Sequence, residues 1–235
     1  MDKRDQQQAY PVSQIDLAGL IDHTLLKPDA VAQQYTRLCA EAVLYGFRTV
    51  CVNSAWVSYV AHLLKGTGID VCAVVGFPLG AMHSRAKAFE ARCAIEDGAA
   101  ELDMVINVGQ LKNGNREAVG LDIRAVRESS AGHALLKVII ETSLLTDEEK
   151  IAACEIAVAE GADFVKTSTG FSGGGATVDD IRLMRQVVGP NIGVKASGGI
   201  RTYDQAMLLI EAGANRLGCG ASVEVISGGE AKGNY

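Results

Sequence analysis

One pattern repeats along the chain from Leu20 to Gly220: a short apolar run, a turn with glycine or polar residues, then a stretch with helical periodicity. The apolar runs fall at 20–26, 48–53, 69–77, 101–107, 135–141, 164–166, 192–196 and 215–217. They are apolar on both faces, as parallel strands covered by helices must be. Gly98-Ala99, Gly161-Ala162 and Gly213-Ala214 each stand just before a run, where a helix ends and the next strand begins. Eight strand-then-helix units without a linker predict an α/β chain folded as one (β/α)8 TIM barrel over residues 1–235. A polar leader (1–9), a short N-terminal helix (12–19) and a flexible tail (228–235) would flank it. The alternative, an open doubly wound sheet, calls for a G-x-G-x-x-G turn after the first strand, which is missing.

The helix signals are local. Asp29 is expected to cap a helix reaching about Leu44, and Ser54 one reaching Lys65. Further helices are read over 82–97 and 116–129. Thr146-Asp-Glu-Glu149 is a capping box that opens a helix ending at Gly161. Two more helices start near Thr177 and Thr202, and a short one follows Gly220.

Composition narrows the function. With 48% hydrophobic residues the chain can bury a large core. A net charge of −6 without a basic block argues against nucleic acid or an acidic membrane as partner. No apolar run approaches the ~20 residues of a membrane span, and the polar start at 1–8 is no signal peptide. Six cysteines without a C-x-x-C pair read as reduced thiols, which predicts a cytoplasmic protein. His23, His62, His83 and His133 are scattered, so no metal site is expected.

Chemistry in such a barrel belongs at the C-terminal strand ends. Those ends bring Asp22, Cys51 with Asn53, Asp103 with Asn107, Glu141, Lys166 and Lys195. Lys166 closes a short apolar strand and leads into a turn rich in hydroxyls and glycine, Thr167-Ser-Thr169-Gly170. Lys195 closes the next strand, ~4.8 Å away. Two ammonium groups at ~5.5 Å repel by about 3 kcal/mol at an effective dielectric near 20. With desolvation added, one of them would be a neutral amine near pH 7, able to form a Schiff base. Asp103 is expected to pair with one of the two lysines but hardly with both. Cys51 reads as packing, and Lys137 either lines the barrel or snorkels to the surface.

Separate features suggest a phosphate. Lys195-Ala-Ser-Gly198-Gly199-Ile-Arg201 ends the seventh strand in two glycines and an arginine, and Gly218-Cys-Gly220 follows the eighth. Loops after strands seven and eight form the usual phosphate site of these barrels.

The stretches Asp22-His-Thr-Leu-Leu-Lys27, Val50-Cys-Val-Asn53, Gly76-Phe-Pro-Leu-Gly80, Glu101-Leu-Asp-Met-Val-Ile-Asn107, Lys137-Val-Ile-Ile-Glu-Thr142, Asp163-Phe-Val-Lys-Thr-Ser-Thr-Gly-Phe171 and Val194-Lys-Ala-Ser-Gly-Gly-Ile-Arg201 closely resemble the deoxyribose-phosphate aldolases. The resemblance covers strands one to seven in order. It implies a cofactor-free class I aldolase that splits 2-deoxy-D-ribose 5-phosphate into D-glyceraldehyde 3-phosphate and acetaldehyde, in deoxyribonucleoside catabolism. It implies Lys166 as the Schiff-base nucleophile, Lys195 as the lysine that tunes it, Asp103 as a proton-transfer group and Asp22 as a substrate-orienting group. Substrate contacts are expected from Cys51, Asn107, Thr169, Gly170, Gly198, Gly199, Arg201, Gly218 and Gly220. The resemblance also implies a homodimer or homotetramer, and a C-terminal tyrosine, here Tyr235, that reaches the site. After strand eight this chain departs from the family, with Gly220 where a serine commonly stands. A catalytically weak sugar-phosphate binder, or a different phosphate-binding barrel lyase or isomerase, are the competing functions.

Overall fold

The computed structural model describes residues 16–130 and 132–229. The expected leader (1–9), half of the N-terminal helix (12–19) and all but two residues of the tail (228–235) lie outside them. The strands are β1 (Ile21–Leu25), β2 (Thr49–Val52), β3 (Asp70–Val75), β4 (Glu101–Val105), β5 (Leu135–Ile139), β6 (Phe164–Lys166), β7 (Gly193–Ser197) and β8 (Arg216–Cys219). All neighbouring pairs are parallel, and β1 pairs with both β2 and β8, so the sheet closes into the expected barrel.

Around it stand α1 (Ala32–Tyr45), α2 (Val57–Leu64), α3 (Ser84–Glu96), α4 (Val108–Lys112), α5 (Arg116–Ser130), α6 (Asp147–Ala159), α7 (Val178–Val188), α8 (Tyr203–Glu211) and α9 (Ser222–Ile226). The main hydrophobic core lies between barrel and helices, where outward residues such as Val50, Ala73, Leu102, Val138 and Val194 are buried. A second, smaller apolar cluster contains Leu26, Cys51, Cys72 and Val74.

Register explains the two faces. Cys51 stands opposite Cys72, Val74 opposite Asp103, Asp103 opposite Lys137, and Lys166 opposite Lys195. Paired residues in a parallel sheet point the same way, so these side chains share the interior. The strands are therefore apolar outward and largely charged inward.

Several local expectations are corrected. Asp29 does not cap α1: the helix starts two residues later, and the Val31 N–H donates instead to Gln34 Oε1 at 2.9 Å. Ser54 does not cap α2 either. It opens a 3-10 turn (Ser54–Trp56), and its hydroxyl donates to Glu90 Oε1 at 2.8 Å. Near the N-terminus, the described part of 12–19 shows a 3-10 turn at Ala18–Leu20. The short helix α4 was not expected, and Asn107 caps it by accepting from the Gln110 N–H at 3.1 Å. The capping box at Thr146 forms as read, and the helices expected near Thr177 and Thr202 start there, each capped by its threonine side chain. β8 begins and ends later than the 215–217 run, because Gly218 and Cys219 still pair with β1.

One buried ion pair fastens α3 to the barrel. Lys87 runs across Gly76, donates to the Val105 carbonyl at 2.8 Å and pairs with Asp122 of α5. A Cβ at Gly76 would stand 2.8 Å from Lys87 Cε, and the residue sits at φ 63°, so glycine is needed twice over. Burial pulls the Lys87 ammonium pKa down against the pull of Asp122. Removing one partner of such a pair strands the other, at about 3–5 kcal/mol. Asp122→Ala should therefore be destabilised by that order in urea unfolding. The double replacement Lys87→Met with Asp122→Leu should unfold at a higher urea midpoint than Asp122→Ala. A lower midpoint in the double variant would contradict this account.

Candidate active site

β4 supplies two inward acids, Glu101 and Asp103, two residues apart on one face. Its neighbours supply the cations: Lys137 from β5, Lys166 from β6, Lys195 from β7 and Arg216 from β8. Asp22 comes from β1. All are buried.

Asp103 is the hub. Its Oδ2 accepts from Lys166 Nζ and from Lys195 Nζ, both at 2.7 Å. Its Oδ1 accepts from Lys137 Nζ at 2.8 Å and from the Cys72 thiol at 3.2 Å. Lys195 also donates to Asp22 Oδ2, while Asp22 Oδ1 accepts from Arg216 Nη1 at 2.7 Å. Arg216 reaches Glu101 at 3.0 Å, and Glu101 pairs with Lys137 at 2.5 Å. The expectation that Asp103 could serve hardly more than one of the two lysines is overturned: one carboxylate holds both, and a third besides. Lys137 does not snorkel; it lines the barrel.

The charge states follow from this crowding. Burial pushes the Asp103 carboxyl up, but Lys137, Lys166 and Lys195 outweigh it and hold the group well below the usual carboxylate range. The same contest leaves Asp22 lowered, by Lys195, Lys137 and Arg216. Burial disfavours the Lys195 ammonium, yet Asp103 and Asp22 raise its pKa above the ordinary lysine value. Lys137 is raised likewise against its burial, by Asp103, Cys72, Asp22 and Glu101. The simple picture of two lysines repelling across neighbouring strands is thus incomplete, and Lys195 is not the depressed amine.

The remaining expected residues take distinct places. Cys51 is buried beside Cys72, whose hydrogen bond lowers its thiol pKa. Cys51, Cys72 and Asp103 offer ligand atoms within 4.8 Å of one another, closer than the sequence suggested. The ammonium groups on both Asp103 oxygens weigh against a cation there. Asn107 serves as the α4 cap. Thr169 donates its hydroxyl to Glu141 Oε2 at 2.5 Å, and Ser172 donates to the same oxygen at 3.1 Å. Glu141, at φ 59°, therefore straps the β6–α7 loop, with Gly170 in the left-handed region inside it. Gly198 and Gly199 are consecutive left-handed residues at φ 86° and 76°, and the space where a Gly199 side chain would stand is open. Arg201 is exposed at the helix entrance, its N–H donating to Gln205 Oε1. Gly218 makes room: a Cβ there would stand 3.1 Å from Lys195 Cε and 2.9 Å from Ser197 Cβ. Gly220 is exposed at the β8–α9 turn, and Tyr235 lies outside the described residues.

Glu101, Arg216 and Cys72 were not singled out in the sequence. The signal was present for two of them, since a charged side chain at every second position of an apolar strand points inward. Arg216 stands at the first position of its strand and was read as lying within a run of apolar residues.

The chain as a whole has known relatives. The model of the DeoC/LacD family aldolases matches residues 17–225. The chain is similar to the deoxyribose-phosphate aldolase of Geobacillus sp. (strain WCH70), at 59% identity over 94% of this chain and 99% of the relative. It is similar to deoxyribose-phosphate aldolase 1 of Bacillus licheniformis, at 60% identity over 93% and 98%. Among solved structures it is similar to the tetrameric deoxyribose phosphate aldolase of Aeropyrum pernix, with a TM-score of 0.84 and 35% identity over 90% of this chain and 89% of that one. With a family pattern spanning all eight barrel strands and relatives matched nearly end to end, the chain belongs to the DeoC/LacD family of aldolases.

Proposed function

We propose that this chain cleaves 2-deoxy-D-ribose 5-phosphate reversibly to D-glyceraldehyde 3-phosphate and acetaldehyde through a Schiff base on Lys166. The observation that carries the reading is Asp103 Oδ2, shared at 2.7 Å between Lys166, the last residue of β6, and Lys195, which stands in the middle of β7 and does not close it as expected. Lys166 is the member open to a substrate: its side chain is 4% exposed, against 0% for Lys195 and Lys137. Relatives near 60% identity bear the name of this activity.

The steps balance with these residues. The neutral Lys166 amine attacks the aldehyde carbon, C1, and water leaves to give the iminium. A base takes the proton of the C3 hydroxyl, the C2–C3 bond breaks, and its electron pair moves to the iminium nitrogen as an enamine. D-Glyceraldehyde 3-phosphate departs. The enamine is protonated at C2, and water hydrolyses the iminium to acetaldehyde and free Lys166. Asp103, in contact with both lysines, moves protons together with water. Lys195 tunes Lys166, and Asp22 orients the substrate near Lys195. No cofactor is needed to balance any step.

The phosphate is assigned to the loops after β7 and β8, where Gly198 and Gly199 let backbone approach closely and Arg201 supplies charge. Thr169 and Gly170 border the sugar. The finer assignments, a cytoplasmic location and a homodimer or homotetramer, are proposed with the function; none of the helices described is long and apolar enough to cross a membrane.

Incubation with acetaldehyde followed by borohydride should leave an ethyl group on Lys166, located by peptide mass. Label elsewhere, or none, would refute the Schiff base. Lys166→Arg should fall below about one hundredth of the parent rate, because a guanidinium is never a neutral amine.

Unphosphorylated 2-deoxyribose should have a much lower kcat/KM than its phosphate ester, since phosphate binding energy is used in the transition state as well. Equal values for the two sugars would contradict the assignment of the β7 and β8 loops.

A further inference from the structure

Six buried charged side chains close a loop of direct contacts. Asp103 touches Lys137, Lys137 touches Glu101, and Glu101 touches Arg216. Arg216 touches Asp22, Asp22 touches Lys195, and Lys195 returns to Asp103. The signs alternate throughout, so three carboxylates and three cations cancel within the ring. Lys166 joins it only at Asp103.

We propose that Glu101, Lys137 and Arg216 are positioning residues whose charges keep this ring neutral, leaving Lys166 as the group that gives up its proton when the site sheds its excess charge. The inference rests on Lys166 being the Schiff-base lysine.

The count of partners supports the choice. Lys137 contacts two carboxylates, Asp103 and Glu101, with Asp22 at 3.7 Å; Lys195 contacts two, Asp103 and Asp22. Arg216 contacts two and keeps its proton in any protein setting. Lys166 contacts one. A buried cluster with a net charge is costly, and this one is relieved most easily where the fewest carboxylates are abandoned. The groups facing Lys166 are Asp103 from β4, Lys195 from β7 and, more weakly, the Cys51 thiol from β2. None of these alone distinguishes Lys166 from its neighbours; the balance of the ring behind them does.

Stability gives no competing reason for such a ring. Buried ion pairs are often replaced by well-packed apolar side chains without loss. At the floor of this barrel the Arg216 guanidinium lies over the half-buried Phe164 ring at 5.4 Å. Phe164 in turn fills the space that a side chain at position 193 would occupy, 2.1 Å from the ring.

The test is the pH dependence of kcat/KM for the retro-aldol reaction, run beside the pH dependence of borohydride trapping of acetaldehyde on Lys166. Arg216→Met makes the ring negative and should move the acid limb of both profiles up by about one pH unit. Glu101→Gln makes it positive and should move both down by a similar amount. The double variant restores neutrality and should return the limb close to the parent position, and Arg216→Lys should stay there. A merely structural role would lower rates in all four without opposite shifts. Thermal melts identify a single variant that fails to fold, and the two charge-neutral variants then decide: a displaced limb in either overturns the proposal. Label on a residue other than Lys166 in the parent protein overturns the aldolase reading and this inference together. Label on Lys166 with unmoved profiles overturns the ring alone.

Discussion

The Asp103 carboxylate, buried and shared by three ammonium groups, is the contact on which the interior depends. Lysines on adjacent strands cannot all point into one barrel unless something cancels their charge. An isolated buried ammonium costs several kcal/mol, and two side by side would also repel each other. Asp103 resolves this by placing one oxygen between Lys166 and Lys195 and the other against Lys137. The lysines then keep a defined geometry, which a nucleophile needs more than it needs mere proximity.

Closure of the sheet makes that geometry possible. In an open sheet, β1 and β8 would be edges, and Asp22 would be far from Lys195. In the barrel, β1 pairs with β8 and sets Asp22 opposite Gly218, one strand from Lys195. Glycine then decides what fits. Gly218 carries no side chain to collide with the Lys195 stem, and Gly193 leaves the floor to Phe164. Long charged side chains that cross the bore share the interior with a few apolar residues such as Val74 and Ile139, where other such barrels stack layers of branched apolar residues.

How much of this was legible in the sequence differs by level. The repeated pattern of apolar runs gave the architecture, because parallel strands buried on both faces leave few alternatives. Lys166 ends β6 and could be found by position, whereas Asp103 and Lys195 stand in the middle of β4 and β7 and were legible as charges within apolar strands. What could not be read was the angular relation between them. Whether Asp103 lies to one side of two lysines or between them depends on barrel stagger, which is set by all eight registers together. The reading from pairwise repulsion therefore missed the shared carboxylate. Arg216 and Glu101 were passed over for a related reason: charge near the start of a short strand looks like solvent exposure until closure buries it. The caps at Asp29 and Ser54 failed locally, since Gln34 and Glu90 offered the competing acceptors.

The charged bore and the loops proposed to hold the phosphate have separate supports. The charged ring is made of strand residues inside the bore, fixed by ladder hydrogen bonds on both sides. The β6–α7 and β7–α8 loops above it are fixed by other means. Glu141 gathers Thr169 and Ser172, and the Gly198 carbonyl accepts from the Ala176 N–H at 3.0 Å, lacing one loop to the next. The two systems meet at Ser197, which follows Lys195 by two residues. Its hydroxyl donates to the Ser168 carbonyl at 2.6 Å. On the proposed assignment of the phosphate to these loops, a change there alters how it is held without disturbing the ionic ring, whereas a change at Ser197 or Gly218 reaches both. Substrate range in such a barrel is free to drift in the loops while the charge balance of the bore stays under a tighter physical constraint.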